Sequence, residues 1–259
     1  MKSIKEVREV SKRSHSHSAA SVDARRVLGA DTPFAVREAY KALYTNILYL
    51  PIQSKCRKFV LTSACAGEGK TSVSINLAYT IAMTSPQAKV LLIDADMRNP
   101  RIPKLLELPC RGVHGLSEYL AGIDEVPNML ETVHPNLSFL PSGAESINTA
   151  ALLSSSTMNK LMDFCDRNFD YVIIDTPPLN VVTDALFFND HVDGFMLVAR
   201  ADYSDVNSVD ETLQVLANVE ANVIGFILCS LDTKRIRKYG GRYGKYGKYS
   251  RYDSYKYSK

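Results

Sequence analysis

The stretch that most constrains the fold is Phe59-Val60-Leu61-Thr62-Ser63-Ala64-Cys65-Ala66-Gly67-Glu68-Gly69-Lys70-Thr71-Ser72. An apolar run rich in β-formers enters a turn of small residues, and Val73 to Met83 then reads as helix. A loop of small residues lets successive backbone N–H groups point into one concavity, where they can hold phosphate oxygens. The helix that follows adds its unpaired N–H groups and the positive end of its dipole. Lys70 is placed to reach the outer phosphates and the Thr71 hydroxyl to ligate a magnesium ion. The spacing is that of a phosphate-binding loop, with Ala64 at the first position where glycine is usual. The bland alternative is a glycine turn followed by a chance Lys-Thr pair, and the strand before and helix after argue against it.

Two further strands end in acids. Lys89-Val90-Leu91-Leu92-Ile93-Asp94-Ala95-Asp96-Met97-Arg98 is an unbroken apolar run bounded by turn signals, the pattern of a buried parallel strand. It delivers Asp94 and Asp96 at its C-terminal end, the edge where open α/β sheets place their sites. The two would share a face if the strand continues through them. Two carboxylates ending a buried strand are costly without a cation, and magnesium with phosphates would account for both. Asp170-Tyr171-Val172-Ile173-Ile174-Asp175-Thr176-Pro177-Pro178 repeats the design, and Asp175 is the natural second acid of the magnesium shell. Read alone, Asp175 could simply open a turn before two prolines.

Elsewhere the pattern alternates. Phe34 to Leu50 carries apolar residues near helical spacing, with Asp31 or Thr32 as its expected cap and Pro51 as its stop. Arg101 to Gly122 reads as two short helices, Leu137 to Pro141 as a short strand and Asn148 to Phe169 as one long helical segment. Gly194 to Arg200 is a strand, Val206 to Val219 a helix and Asn222 to Cys229 the last strand. Alternating strands and helices imply an α/β, doubly wound, mostly parallel sheet of P-loop NTPase type with right-handed crossovers.

The flanks are different. Residues 1–31 are rich in Ser, Lys, Arg and His and read as a flexible extension, with a short helix around Ile4 to Val10. His15 and His17 are expected to be solvated rather than metal-bound. From Lys234 to Lys259 there are ten Lys/Arg against one Asp, a net +9, which leaves −6 on the rest of a chain whose total is +3. That tail holds seven of the fourteen tyrosines, Tyr239, Tyr243, Tyr246, Tyr249, Tyr252, Tyr255 and Tyr257, separated by Gly, Ser, Lys or Arg. No core can form from this composition, so a disordered tail is expected. Aromatics interleaved with basic residues also suit single-stranded nucleic acid or anionic lipid. Five cysteines without metal-ligand spacing read as free thiols in a reducing cytoplasm. No apolar run approaches the ~20 residues needed to span a bilayer.

Together these residues resemble the bacterial tyrosine kinases, P-loop kinases of capsule and exopolysaccharide export systems. The resemblance rests on Ala64–Ser72, on the strands ending in Asp94-Ala95-Asp96-Met97-Arg98 and in Asp175-Thr176-Pro177-Pro178, and on the terminal tyrosines. It divides the chain into the extension 1–31, a kinase domain at 32–233 and the tail 234–259. It implies ATP and Mg2+ as cofactors, with Ala66, Gly67, Glu68, Gly69, Lys70, Thr71 and Ser72 around the phosphates. Thr71, Asp94 and Asp175 would form the magnesium shell, and Lys70, Asp94 and Asp96 would carry the chemistry. The seven tail tyrosines would be the phosphoacceptors, modified by a neighbouring subunit, often within a ring. A membrane protein of the export system would activate the chain and recruit it from the cytoplasm to the inner face of the membrane. A cognate tyrosine phosphatase would be a further partner, and no nucleic acid is expected.

Two positions depart from the family pattern. Its subunit-contact motif is Glu-x-x-Arg-x-x-Arg, and here Glu38 and Lys41 are followed by Tyr44; neither Lys nor Tyr can make the bidentate contacts of Arg. On the last strand Cys229 stands where the family commonly has Asn at the adenine. A rival from another class is a partitioning- or septum-positioning-type switch ATPase, which shares the fold and the acidic strands. Such proteins carry an extra lysine at the start of the loop, where this chain has Cys65, and the tyrosine tail argues further against that reading. A nucleic-acid-binding module would rest on the tail alone.

Overall fold

The computed structural model describes residues 27–229 apart from 30, 109–113, 127–129 and 147. The helix expected at Ile4 to Val10, the two N-terminal histidines, Cys110 and the seven tail tyrosines lie outside the described residues. Seven strands form one sheet: β1 Arg57–Ser63, β2 Val90–Asp94, β3 Glu131–His134, β4 Leu137–Leu140, β5 Tyr171–Asp175, β6 Gly194–Arg200 and β7 Val223–Cys229. Their order is β3-β4-β2-β5-β1-β6-β7. Every pairing is parallel except β3 with β4.

The continuous apolar runs of β1, β2 and β5 have the cause expected of central parallel strands, since both faces are covered. Side chains alternate between two cores. Phe59, Leu61, Val90, Leu92, Tyr171 and Ile173 join one cluster with helices α1 Phe34–Leu48 and α2 Lys70–Thr84. Val60, Leu91, Ile93, Val172 and Ile174 join the other, with Leu161 and Cys165 of α6 Thr157–Asn168 and Leu216 of α7 Val206–Asn218. α2 lies between the sheet and α1, and it is buried almost all round from Lys70 to Ala82.

Several expectations are corrected. The segment from Asn148 to Phe169 is two helices, α5 Thr149–Leu153 and α6, broken at the serines 154–156. Serine hydroxyls compete with the backbone for hydrogen bonds, which weakens a helix interior. Strand β3 pairs antiparallel at the sheet edge, and a 3₁₀ helix spans Asp184–His191; neither was expected from the sequence. Asp31 and Thr32 do not cap α1, whose N-cap is Pro33; the Thr32 hydroxyl instead accepts from the Gly29 N–H at 2.8 Å. The short helices α3 Ile102–Leu106 and α4 Leu116–Leu120 fall where two were expected. Among the described residues all four cysteines are free thiols, and no helix is long and apolar enough to cross a membrane.

Candidate active site

The register of the sheet assembles the acids. β2 pairs with β5 so that Asp94 stands opposite Asp175, and β1 pairs with β5 so that Leu61 stands opposite Asp175. Alternation along each strand puts Asp94 on the face of Leu92, and Asp175 on the face of Ile173. That is the face covered by α2. Both carboxylates therefore meet the first turn of the helix that the loop launches. The strand ends are tied together: the Ala95 N–H donates to Asp175 O at 2.8 Å, and the Thr62 hydroxyl donates to Pro177 O at 2.9 Å.

β2 ends at Asp94, so Asp96 does not continue its alternation. The chain turns, with the Asp96 N–H donating to Asp94 Oδ1 at 3.1 Å and the Asn99 N–H donating to Asp96 Oδ1 at 3.0 Å. This turn swings Asp96 toward Lys70, whose Nζ lies 3.3 Å from Asp96 Oδ2 and 3.6 Å from Asp175 Oδ2. The Ser74 hydroxyl, one turn further along α2, donates to Asp175 Oδ1 at 3.0 Å. Thr71 also hydrogen-bonds Asp175. The predicted residues Lys70, Thr71, Asp94, Asp96 and Asp175 thus form one buried cluster at the C-terminal edge of the sheet.

In the loop itself, Gly67 and Gly69 have φ of +84° and +95°, where a Cβ is strongly disfavoured. Ala64 is not among the positive-φ residues, which is why alanine serves at that position. Glu68 is only 1% exposed, and its carboxylate faces away from a ligand role: Oε2 accepts from the Cys65 N–H at 2.8 Å and Oε1 from the Ser204 hydroxyl. Its available contribution to a phosphate is its backbone. Beside the loop a cavity of about 320 Å³ is lined by Leu28, Tyr40, Ser72, Asn76, Arg200 and Cys229, among others.

Burial, and then the neighbouring Asp175 charge, push Asp94 well above the ordinary carboxylate value, with Lys70 opposing. Burial likewise raises Asp175, against the pull of Lys70, Thr71 and Ser74. Burial works against the Lys70 ammonium, but Asp175, Asp96 and Asp94 outweigh it, so Lys70 stays charged. Within this cluster one atom lacks any partner: Asp94 Oδ2 is fully buried and makes no hydrogen bond. An orphaned carboxylate oxygen beside Asp175 and Thr71 fits a divalent cation. Among the described residues no three His, Cys, Asp or Glu side chains form a ready-made cage. Asp94 and Asp175 would supply the one or two carboxylates that magnesium takes, with water and phosphate completing its shell.

The expected subunit-contact positions separate. Lys41 is exposed and Glu38 partly exposed on α1, and the two pair with each other at 2.7 Å. Tyr44 is 3% exposed, with its hydroxyl 2.7 Å from Ser85 Oγ and its ring edge-on to Tyr171 at 6.0 Å. It belongs to the core. Side chains not singled out in the sequence also reach the site. Ser74 was legible as the position one turn beyond Lys70. Arg98 forms a forked pair with Asp184, Nε–Oδ2 at 2.9 Å and Nη2–Oδ1 at 3.2 Å. Arg200, the last residue of β6, and Tyr203 just after it touch the loop, and no local pattern marked them.

A mostly parallel sheet in which β1 opens into a Lys-Thr loop, facing aspartates at the ends of its neighbour β5 and of β2 beyond it, defines a nucleotide-binding protein of the P-loop class. A family model described as "AAA domain" matches residues 57–222. The tyrosine-protein kinase CpsD of Streptococcus agalactiae is 34% identical over 80% of this chain and 89% of its own length. The tyrosine-protein kinase YwqD of Bacillus subtilis is 31% identical over 83% and 90%. Against the tyrosine-protein kinase etk of Escherichia coli the identity is 33% over 78% of this chain but only 27% of that protein. The solved kinase domain of the same Escherichia coli protein superposes with a TM-score of 0.72 at 31% identity, over 85% of each chain. The MinD cell division protein of Aquifex aeolicus shares the fold, with a TM-score of 0.57 at 22% identity. The chain belongs to the bacterial tyrosine kinase family of capsule synthesis systems.

Proposed function

We propose that this chain is a magnesium- and ATP-dependent protein-tyrosine kinase that phosphorylates the tail tyrosines, Tyr239 to Tyr257, of a neighbouring copy. The observation that carries the reading is the orphaned Asp94 oxygen, set with Asp96 and Asp175 around Lys70. A switch ATPase shares the fold, but it has no use for a cluster of tyrosines in a basic tail. The tyrosine oxygen attacks the γ-phosphorus, the bond to the β–γ bridging oxygen breaks, and the phenol proton passes to Asp94 or Asp96. A phenol of pKa near ~10 needs such an acceptor.

Lys70 releases Asp96 and Asp175 to follow the outer phosphates, which are stronger anionic partners for an ammonium. Thr71, Asp94 and Asp175 would hold magnesium, which when bound neutralises charge on the phosphate oxygens. The cavity beside the loop would take the nucleoside, with Cys229 on its wall. By the family relation, a membrane-protein activator of the export system recruits the chain to the inner face of the membrane. On the same reading copies would assemble with Glu38 and Lys41 at the contact, and a phosphatase would reverse the modification. Its role would be regulation of extracellular or capsular polysaccharide synthesis and export.

The reading is tested by mixing the full chain carrying Lys70→Met, as acceptor, with active chain lacking residues 234–259, in Mg-ATP. Phosphotyrosine on the acceptor tail is expected. An unlabelled acceptor beside sustained ATP hydrolysis would favour the switch ATPase.

A further inference from the structure

Three consecutive carbonyls of the phosphate loop each accept a hydrogen bond from a side chain outside it. Tyr203 Oη donates to Ala66 O at 3.1 Å, Arg200 Nη1 donates to Gly67 O at 3.3 Å, and Cys229 Sγ donates to Glu68 O at 3.0 Å. All three donors come from one end of the sheet, the C-terminal end of β6 with the turn after it and the last residue of β7. The described peptides are all trans. In a trans peptide the C=O and the following N–H point in opposite directions. Holding carbonyls 66, 67 and 68 toward the clamp therefore turns the N–H groups of Gly67, Glu68 and Gly69 away from it.

We infer that Tyr203, Arg200 and Cys229 are positioning residues that preset these three amides for phosphate. The inference rests on the nucleotide reading above and adds what holds the cradle in shape before a ligand arrives. The packing is close: a Cβ on Gly67 would lie 3.0 Å from Tyr203 Oη, and one on Gly69 would lie 3.2 Å from Cys229 Sγ. The positive φ favours glycine at both positions, and a Cβ at either would also crowd the clamp. The clamp is itself braced. The Arg200 guanidinium lies 5.1 Å over the Tyr203 ring, the Arg200 N–H donates to Ser204 Oγ at 2.8 Å, and Ser204 in turn holds the Glu68 carboxylate. Arg200 and Cys229 also line the cavity beside the loop, so the clamp borders the nucleotide without any need to touch the reacting atoms. Amides already aimed at a charge need no reorganisation when it binds.

Titration calorimetry of the full chain with Mg-ADP tests the clamp, with the melting temperature of the ligand-free protein measured alongside. Tyr203→Phe removes one donor with almost no change in volume, and Cys229→Ala removes another together with its sulfur atom. Each is expected to weaken Mg-ADP about two- to tenfold, the range of a single hydrogen bond, with ligand-free melting unchanged. Cys229→Ser, which keeps a donor, should retain most of the affinity. Wild-type binding of Mg-ADP with both variants equal to it would overturn the inference and leave the nucleotide reading standing. Lowered ligand-free melting with unchanged affinity would also overturn it, as the mark of a purely structural role. A wild-type chain that binds no Mg-ADP would instead sink the nucleotide reading itself, and the clamp's purpose with it.

Discussion

Asp94 carries two opposing demands. It is fully buried, faces Asp175 across adjacent strands and leaves one oxygen without a partner, an arrangement that costs stability until a cation arrives. Its folded-state pKa is raised above the usual 3.8, so the folded chain binds that proton more tightly than the unfolded chain does. The stability associated with this group is therefore fully present below that value and is lost as pH rises through the folded pKa. In EDTA without nucleotide, Asp94→Asn should make the protein more stable than wild type at pH 8, by about 1–2 kcal/mol from the relief of an unsatisfied buried charge. The gap should narrow as pH falls, and magnesium-dependent nucleotide binding should be lost. Urea unfolding across pH checks this, and parallel curves for the two proteins would contradict it. The acids were legible in the sequence because each ends an apolar run. What could not be read was the turn at Asp94–Asp96, since Asp96 reaches Lys70 by leaving the strand rather than by alternation within it.

At the scale of elements, α1 shows how the same spacing serves two ends. Glu38, Lys41 and Tyr44 lie three apart, yet Lys41 is exposed and Glu38 partly exposed while Tyr44 is packed against Tyr171 and hydrogen-bonded to Ser85. A subunit contact built on this helix has at most its first two positions to offer. Tyr44→Phe should cost about 1 kcal/mol through the lost hydrogen bond. Tyr44→Arg, which restores the family residue, should cost about 3 kcal/mol or more by burying an unpaired charge. Urea unfolding measures both, and an arginine variant as stable as wild type would contradict the burial. The strands β1, β2, β5 and β6 were readable because buried parallel strands are continuous apolar runs; β7 was readable as an apolar run as well, although as an edge strand it is only partly covered, with Phe226 and Leu228 exposed. β3 was not, since a half-exposed edge strand of four residues leaves little periodicity. The single long helix expected from Asn148 fails at the serines 154–156, where local hydrogen bonding competes with helix continuation.

For the whole molecule, the sheet order brings the loop after β1, the acids of β2 and β5 and the clamp from β6 and β7 to one edge. Most of that was foreseeable from the alternation of strands and helices, because sites in such sheets gather at the C-terminal ends of strands. The clamp was not foreseeable. Arg200, Tyr203 and Cys229 are joined to the loop only by the pairing of β1 with β6 and β6 with β7, which no local pattern encodes. On the proposed function each phosphate placed on the +9 tail would add about −1.5 to −2, so roughly five would outweigh its charge. The most direct measurement is the intact mass of the purified full chain, with mapping of the tail peptides, after incubation in Mg-ATP beside Lys70→Met. Phosphates on Tyr239 to Tyr257 in the wild type, and none in the variant, are the predicted result. An unmodified tail on a wild-type chain that turns over ATP would contradict the kinase account.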